Sequence, residues 1–257
     1  MVIAQITDLH VRPAHQAHQW TTDTSEWLRK AVNAINALSP RPDLVIATGD
    51  IANAGRAIEY VRARAILEAL VPPLFVIPGN HDNPAALERV FGDRIGRSRE
   101  PRSLTYVLDD YPLRVLAVDS TSPGWPGAAL DDERLAWIES VLTAAPERPT
   151  FLVMHHPPLR TGMHYLDALG FRGDRAFERL IRRHGNVIRI ACGHIHRATE
   201  QQWNGTVVST SVSTAPQFVP ELFMRKAIGI TRERPGYTLY RFDGDRNVRA
   251  ATQYIGD

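Results

Sequence analysis

Short, largely apolar runs alternate along the chain with longer stretches of helical period. Residues 2–7, 44–48, 74–77, 150–154 and 187–191 have the pattern of strands buried on both faces. Between them, apolar residues recur at helical spacing: Leu28, Val32, Ile35 and Leu38; then Tyr60, Val61 and Leu67 in a helix over 56–70; then Leu135, Ile138 and Leu142. Start and stop signals agree with these helices. Asp23-x-x-Glu26 has the form of a capping box, and Pro84 stands at a first helical position with Gly92 past the end. A helix over 174–184 opens on Asp174 and closes on arginines before Gly185, as the helix dipole favours. Residues 103–107 and 113–118 read as paired strands. Asn204-Gly205 is a hairpin turn, and Asp243-Gly244 joins a second hairpin, 236–242 with 247–253. Residues 213–235 have no firm period. Strands alternating with helices predict an α/β fold built from βαβ units.

Composition narrows the function classes. The 257 residues, without a Pro/Ser/Gly-rich linker, fit one domain over 1–257. A net charge of +2 gives no push toward a nucleic-acid polymer or a membrane surface. The single cysteine, Cys192, excludes an internal disulfide and suits a reducing compartment. The first residues lack a basic leader, and no stretch approaches the ~20 apolar residues of a membrane span, so a cytoplasmic location is expected.

The strand ends carry the chemistry. They read Asp8-Leu9-His10, Gly49-Asp50, Gly79-Asn80-His81-Asp82, His155-His156-Pro157-Pro158 and Gly193-His194-Ile195-His196. In an extended segment the side chains at i and i+2 share a face, so Asp8 and His10, like His194 and His196, can converge on one point. Each tip alone also reads as a turn or a cap. Together, at the C-terminal edge of an α/β sheet, they can meet in one crevice. Carboxylate, imidazole and amide oxygen are ligands for Mn²⁺, Fe²⁺, Co²⁺ and Zn²⁺, and the lack of a cysteine pair excludes a zinc–thiolate site. His15 and His18 are expected in a loop beside this site. Arg94, Arg97, Arg99 and Arg102 read as a solvated loop or a phosphate-attracting rim, and Trp125 as a pocket wall or a surface residue.

The ordered series of tips resembles the signature of the calcineurin-like metallophosphoesterases, over residues 2–210. The stretches Gly49-Asp50-Ile51-Ala52-Asn53-Ala54-Gly55, Ile77-Pro78-Gly79-Asn80-His81-Asp82 and His155-His156-Pro157-Pro158 are similar to the class III cyclic nucleotide phosphodiesterases, especially the bacterial glycerophosphodiesterases among them. The Asp-Arg-Gly motif of the superfamily's protein Ser/Thr phosphatases is absent. This resemblance implies a four-layer αββα sandwich of two mixed β-sheets flanked by helices, with a C-terminal β-hairpin region. It implies two divalent metal ions (Mn, Fe, Zn or Co), one on Asp8, His10, Asp50 and His196, the other on Asp50, Asn80, His155 and His194. Asp50 would bridge, and the neutral Asn80 would make the second site the weaker one. His81, outside the ligand set, is expected to serve the leaving group, oriented by Asp82. His156 is a second candidate contact to phosphate, and Asn53 is expected to orient Asn80 or to touch substrate. The implied activity is hydrolysis of small phosphodiesters, cyclic nucleotides or glycerophosphodiesters; the alternatives are a phosphomonoesterase or nucleotidase on the same site and a non-catalytic binding scaffold. A homo-oligomer is expected, with 213–235, including Phe218 and Phe223, as a cap, an oligomerisation segment or a plain surface loop.

Overall fold

The computed structural model describes residues 1–13, 23–219, 229–231, 233–244 and 246–256. The chain begins β1 (Val2–Ile6), α1 (Thr24–Asn36), β2 (Leu44–Thr48), α2 (Ala57–Leu67), β3 (Leu74–Ile77) and α3 (Pro84–Phe91). Three strands follow, β4 (Ser98–Arg99), β5 (Tyr106–Leu108) and β6 (Arg114–Val118), and then the short β7 (Ala128–Ala129). The middle of the chain continues through α4 (Asp132–Ala144), β8 (Thr150–Met154), α5 (His164–Asp167), β9 (Phe171–Arg172), α6 (Asp174–Arg183) and β10 (Val187–Cys192). Two hairpins complete it: β11 (Thr199–Trp203) with β12 (Thr206–Thr210), and β13 (Gly236–Phe242) with β14 (Val248–Tyr254).

These strands form two mixed sheets, ordered β14-β13-β1-β2-β3 and β11-β12-β10-β8-β6-β5-β4, with β7 and β9 paired apart. In the first, β1, β2 and β3 are parallel and the C-terminal hairpin joins antiparallel through β13. In the second, β6, β8, β10 and β12 are parallel. The two-residue period of a strand sorts the core into layers. On the second sheet, Val115, Ala117, Phe151, Val153 and Ala191 pack in one cluster with the first sheet. Their neighbours Leu116, Leu152, Met154 and Ile190 pack instead with Leu135, Ile138 and Leu142 of α4 and Phe177 and Leu180 of α6. The first sheet's cluster also takes in Leu28, Val32 and Ile35 of α1, Tyr60 and Ala63 of α2, and Leu87 and Phe91 of α3. The result is the expected four-layer αββα sandwich. The metal-site expectation needs one correction: the tips belong to two stacked sheets, not to one sheet edge.

Local differences from the sequence reading have identifiable causes. Asp23 caps α1 by accepting from Ser25 N at 2.9 Å, while Glu26 N bonds the Asp23 carbonyl, so the reciprocal box does not form. Helix α2 stops at Leu67, short of residue 70, where Asn36 intervenes by donating to Ala69 O and accepting from Val71 N ahead of Pro72 and Pro73. Val61 faces solvent at 53% exposure, and Ala63 and Ile66 complete the buried face. Asn204 and Gly205 both take positive φ, +48° and +84°, as the tight β11–β12 turn demands.

Candidate metal centre

Five ligand candidates sit in strained backbone. Asp8, His10, Asp50, His194 and His196 have φ of +52°, +44°, +51°, +71° and +50°, five of the seven non-glycine residues at positive φ among those described. An L-residue held there costs on the order of 1–3 kcal/mol, and such strain clusters at functional sites. Backbone bonds hold the turns in place: Asp8 N to Gly49 O at 3.1 Å, His10 N to Asp50 O at 2.9 Å, and His194 N to the Asp8 carboxylate at 3.1 Å. The loops approach so closely that a Cβ on Gly49 (φ +97°) would lie 2.5 Å from His155 Nδ1, and one on Gly79 would collide with Asp50 Oδ1.

This packing brings all seven sequence-predicted ligands together at the C-terminal ends of both sheets. Asp8, His10 and His196 form one group, with His10 Nε2 3.2 Å from His196 Nε2 and His196 Nε2 3.4 Å from Asp8 Oδ1. Asp8, Asp50 and His155 form another, and His194 joins His155 and His156 in a third. Asp50 Oδ2 lies between the two sides, 3.7 Å from His10 Nε2 and 3.5 Å from His155 Nε2. Asn80 Oδ1 is 3.1 Å from His155 Nε2.

The donor chemistry fits a pair of divalent ions. His155 Nδ1 donates to Thr48 O at 2.9 Å and His196 Nδ1 to Pro216 O at 2.7 Å. A carbonyl can only accept, so each Nδ1 carries a proton and each Nε2 is the atom turned toward the cluster, a metal donor once it is unprotonated. The protonation states differ across the cluster. Burial disfavours the Asp8 carboxylate, but His196 and His155 outweigh it and hold its pKa down at about 2. Asp50 is held well below its ordinary value in the same way, by His155 against burial. Burial keeps His10 and His194 neutral, at about 3. Burial also acts on His155, yet the Asp50 carboxylate overrides it and raises His155 to about 9.

The other candidates are placed more sharply than the sequence allowed. His81 is exposed at the rim; its main-chain N donates to Asp50 Oδ1 at 2.8 Å and its Nδ1 bonds the Asn53 carbonyl at 2.8 Å. Asp82 therefore does not orient the His81 ring. Its carboxylate accepts from Gly79 N, Ile51 N, Ala52 N and the Tyr60 hydroxyl, bracing the two metal loops, while Asn83 caps α3. The Asn53 carbonyl accepts from His81 and its Oδ1 accepts from Arg12 Nη2 at 3.0 Å, so its bonds run to His81 and Arg12 and not to Asn80. His156 is buried, with Nδ1 2.8 Å from Ser120 Oγ and Nε2 3.3 Å from Pro126 O; both ring nitrogens are engaged with the wall of the site.

Phe218 stacks on His196 with ring centroids 3.8 Å apart and planes at 11°, and with Arg12, Asn53 and His81 it lines a cavity of about 330 Å³. A second cavity, about 210 Å³, opens on His156 and His194. His15, His18 and Phe223 lie outside the described residues. Arg99 and Arg102 pair with Glu88 and Glu133, and Arg94 with Asp93, which makes that stretch a solvated, ion-paired surface. Trp125 is half-buried beneath the Arg172 guanidinium, 4.3 Å from its ring centre. No sequence signal marks Arg12, Ser120 or the Pro216 and Thr48 carbonyls; the last two act through backbone atoms that every residue type carries.

Similarity to known proteins is consistent with this geometry. The profile of the family described as calcineurin-like phosphoesterase matches residues 1–198. A probable glycerophosphodiester phosphodiesterase of Arcobacter nitrofigilis is 32% identical over 257 residues, covering 100% of this chain and 94% of that protein. A glycerophosphodiester phosphodiesterase of Enterobacter lignolyticus is 36% identical, covering 84% of this chain and 78% of the relative. A 3′,5′-cyclic adenosine monophosphate phosphodiesterase of Pseudomonas aeruginosa is 27% identical, covering 100% and 91%. Among solved structures, a dimetal phosphatase from Danio rerio shares the fold with a TM-score of 0.69 at 14% identity, covering 100% of this chain and 99% of that one. With its family profile, its two-sheet fold and its His/Asp clusters able to hold a metal pair, the chain belongs to the calcineurin-like phosphoesterase family.

Proposed function

We propose that the protein is a dinuclear metal-dependent phosphodiesterase acting on small diesters, glycerophosphodiesters or cyclic nucleotides. The observation that carries this reading is the position of Asp50 Oδ2 between His10 and His155, where one carboxylate can serve both halves of a pair. Asp8, His10, Asp50 and His196 would hold one ion, and Asp50, Asn80, His155 and His194 the other. When bound, such a pair lowers the pKa of a water and polarises phosphate oxygens. The chain's own groups supply the rest. The Asn53 carbonyl fixes the His81 Nδ1 proton, which turns Nε2 toward the site, where the imidazolium form would pass its second proton to a departing alkoxide and return to the neutral ring. Arg12 and Asn53 line the His81-side cavity, where an ester arm would lie. The names of the relatives support the diester substrate class. Mn, Fe, Zn and Co all suit the donor set.

We read residues 1–257 as one domain, because β13 of the C-terminal hairpin pairs with β1. A cytoplasmic setting fits the lone buried thiol of Cys192, and among the described residues no helix is long and apolar enough to cross a membrane. A homo-oligomer is the corresponding quaternary reading, with 213–235 as a cap or an oligomerisation segment; Pro216 and Phe218, which pack against His196, favour the cap.

The test is turnover of bis(p-nitrophenyl) phosphate by Mn²⁺-reconstituted protein beside p-nitrophenyl phosphate. The diester should be preferred, and chelator should abolish the rate. Preference for the monoester would reassign the site to a phosphomonoesterase or nucleotidase. Fewer than two ions per chain with no turnover would favour a binding scaffold.

A further inference from the structure

Gln5, in the middle of β1, is a fully buried amide in an otherwise largely apolar strand. Buried amides persist when every donor and acceptor is matched, and this one is well matched. Its Nε2 donates to Thr48 Oγ1 at 2.7 Å and to the Cys192 carbonyl at 2.9 Å, while its Oε1 accepts from the Tyr240 hydroxyl at 2.8 Å. The same hydroxyl lies 3.1 Å from Ser209 Oγ. Thr48 and Tyr240 belong to the five-stranded sheet, Cys192 and Ser209 to the seven-stranded one. The amide therefore crosses the space between the sheets.

Its place along the strands gives that crossing a purpose. Thr48 stands two residues before Asp50, and Cys192 two residues before His194. The Thr48 carbonyl also receives the Nδ1 proton of His155. The apolar contacts around the network fix area but not direction, whereas metal sites tolerate errors of only about 0.2 Å in ligand distance. A directional cross-link just beneath the ligands supplies what apolar packing lacks.

We propose that Gln5, completed by Tyr240, is a positioning residue that sets the separation of the two sheets at the metal centre. This rests on the two-ion reading, and it predicts an asymmetry between the ions. The first ligand set takes Asp8, His10 and Asp50 from one sheet and only His196 from the other. The second is split evenly, Asp50 and Asn80 against His155 and His194. A change in sheet spacing therefore falls mainly on the second ion.

Stepwise Mn²⁺ binding by calorimetry, with the spin-coupled electron paramagnetic resonance signal of a Mn pair as the second readout, tests this on wild type, Gln5→Leu and Tyr240→Phe. Gln5→Leu should keep the first affinity within about threefold, weaken the second by about tenfold or more, and lose the coupled signal, the scale expected for groups that orient metal ligands. Tyr240→Phe removes the hydroxyl's bonds to Gln5 and Ser209 and keeps the ring against Phe151, so it should weaken the second ion in the same direction by about threefold, even if Gln5→Leu does not fold. Equal weakening of both ions, or second-site affinities within about twofold of wild type in a folded variant, would overturn the proposal. Wild type that binds fewer than two ions would instead overturn the metal-pair reading beneath it.

Discussion

Raising the pH on the metal-free protein should weaken its fold, and His155 sets the size of the effect. Its imidazole is fully buried beside Asp50, which lifts its pKa from the ordinary 6.5 to about 9 against the pull of burial. For a group raised on folding, the stabilisation is complete below the unfolded value and disappears as pH climbs through the folded one. The window is therefore pH 6.5 to about 9. The gap, at about 1.4 kcal/mol per pH unit, corresponds to about 3 kcal/mol. Chelator-treated protein, unfolded in urea at pH 6.5 and 9.5, should lose stability on that scale, and His155→Gln should flatten the dependence. Metal affinity should move the opposite way. A metal ligand must be a neutral imidazole, so Mn²⁺ binding should tighten by about tenfold per pH unit across the same window. Metal-free stability that holds or rises between pH 6.5 and 9.5 would refute the assignment of a protonated His155 beside Asp50.

Three further outcomes follow from the site. If its carboxylate is the shared ligand proposed above, Asp50→Ala should lose affinity for both ions; a full complement by elemental analysis would contradict that role. His81→Ala should retain two ions per chain and lower kcat on bis(p-nitrophenyl) phosphate by about a hundredfold or more, and an unchanged rate would remove His81 from proton transfer. Gly49→Ala should cost about 1–3 kcal/mol in thermal or urea unfolding, since it places a Cβ at positive φ and against His155, and wild-type stability would show that the loop can relax.

The candidate ligands were legible because their chemistry resides in side chains and their strand ends are marked by glycine and proline. Gly49-Asp50 and Gly79-Asn80 announce themselves by the need for close backbone approach, but the extended spacing read for Asp8-x-His10 and His194-x-His196 does not hold: all four have positive φ, and His194 joins His155 and His156 while His196 joins Asp8 and His10. The groups that orient them were not legible. Thr48 and Pro216 contribute carbonyl oxygens, which leave no trace in residue type. Asp82 looked like the partner of His81 because the two are adjacent, yet adjacent residues seldom aim at one another, and the carboxylate turned inward to gather amides from a neighbouring loop. The role of Gln5 leaves no local signal, because its partners come from residues 48, 192 and 240. The alternation of apolar residues revealed strands and helices, but it could not divide the tips between two sheets, since that division depends on which strands pair.

The left-handed turns at the tips restrict which replacements the centre can accept. Asp, Asn and His are the non-glycine residues that enter this backbone region most readily, and the five ligand candidates held in it are Asp or His. Chain conformation thus selects the ligand alphabet before any metal does. Redesign of the centre for another ion has a short menu at positions 8, 10, 50, 194 and 196, in which exchanges among Asp, Asn and His preserve the turn and a longer carboxylate or a β-branched residue does not. His155 and Asn80, which are not among the strained residues, are the positions where a new donor can be introduced without first rebuilding the loop.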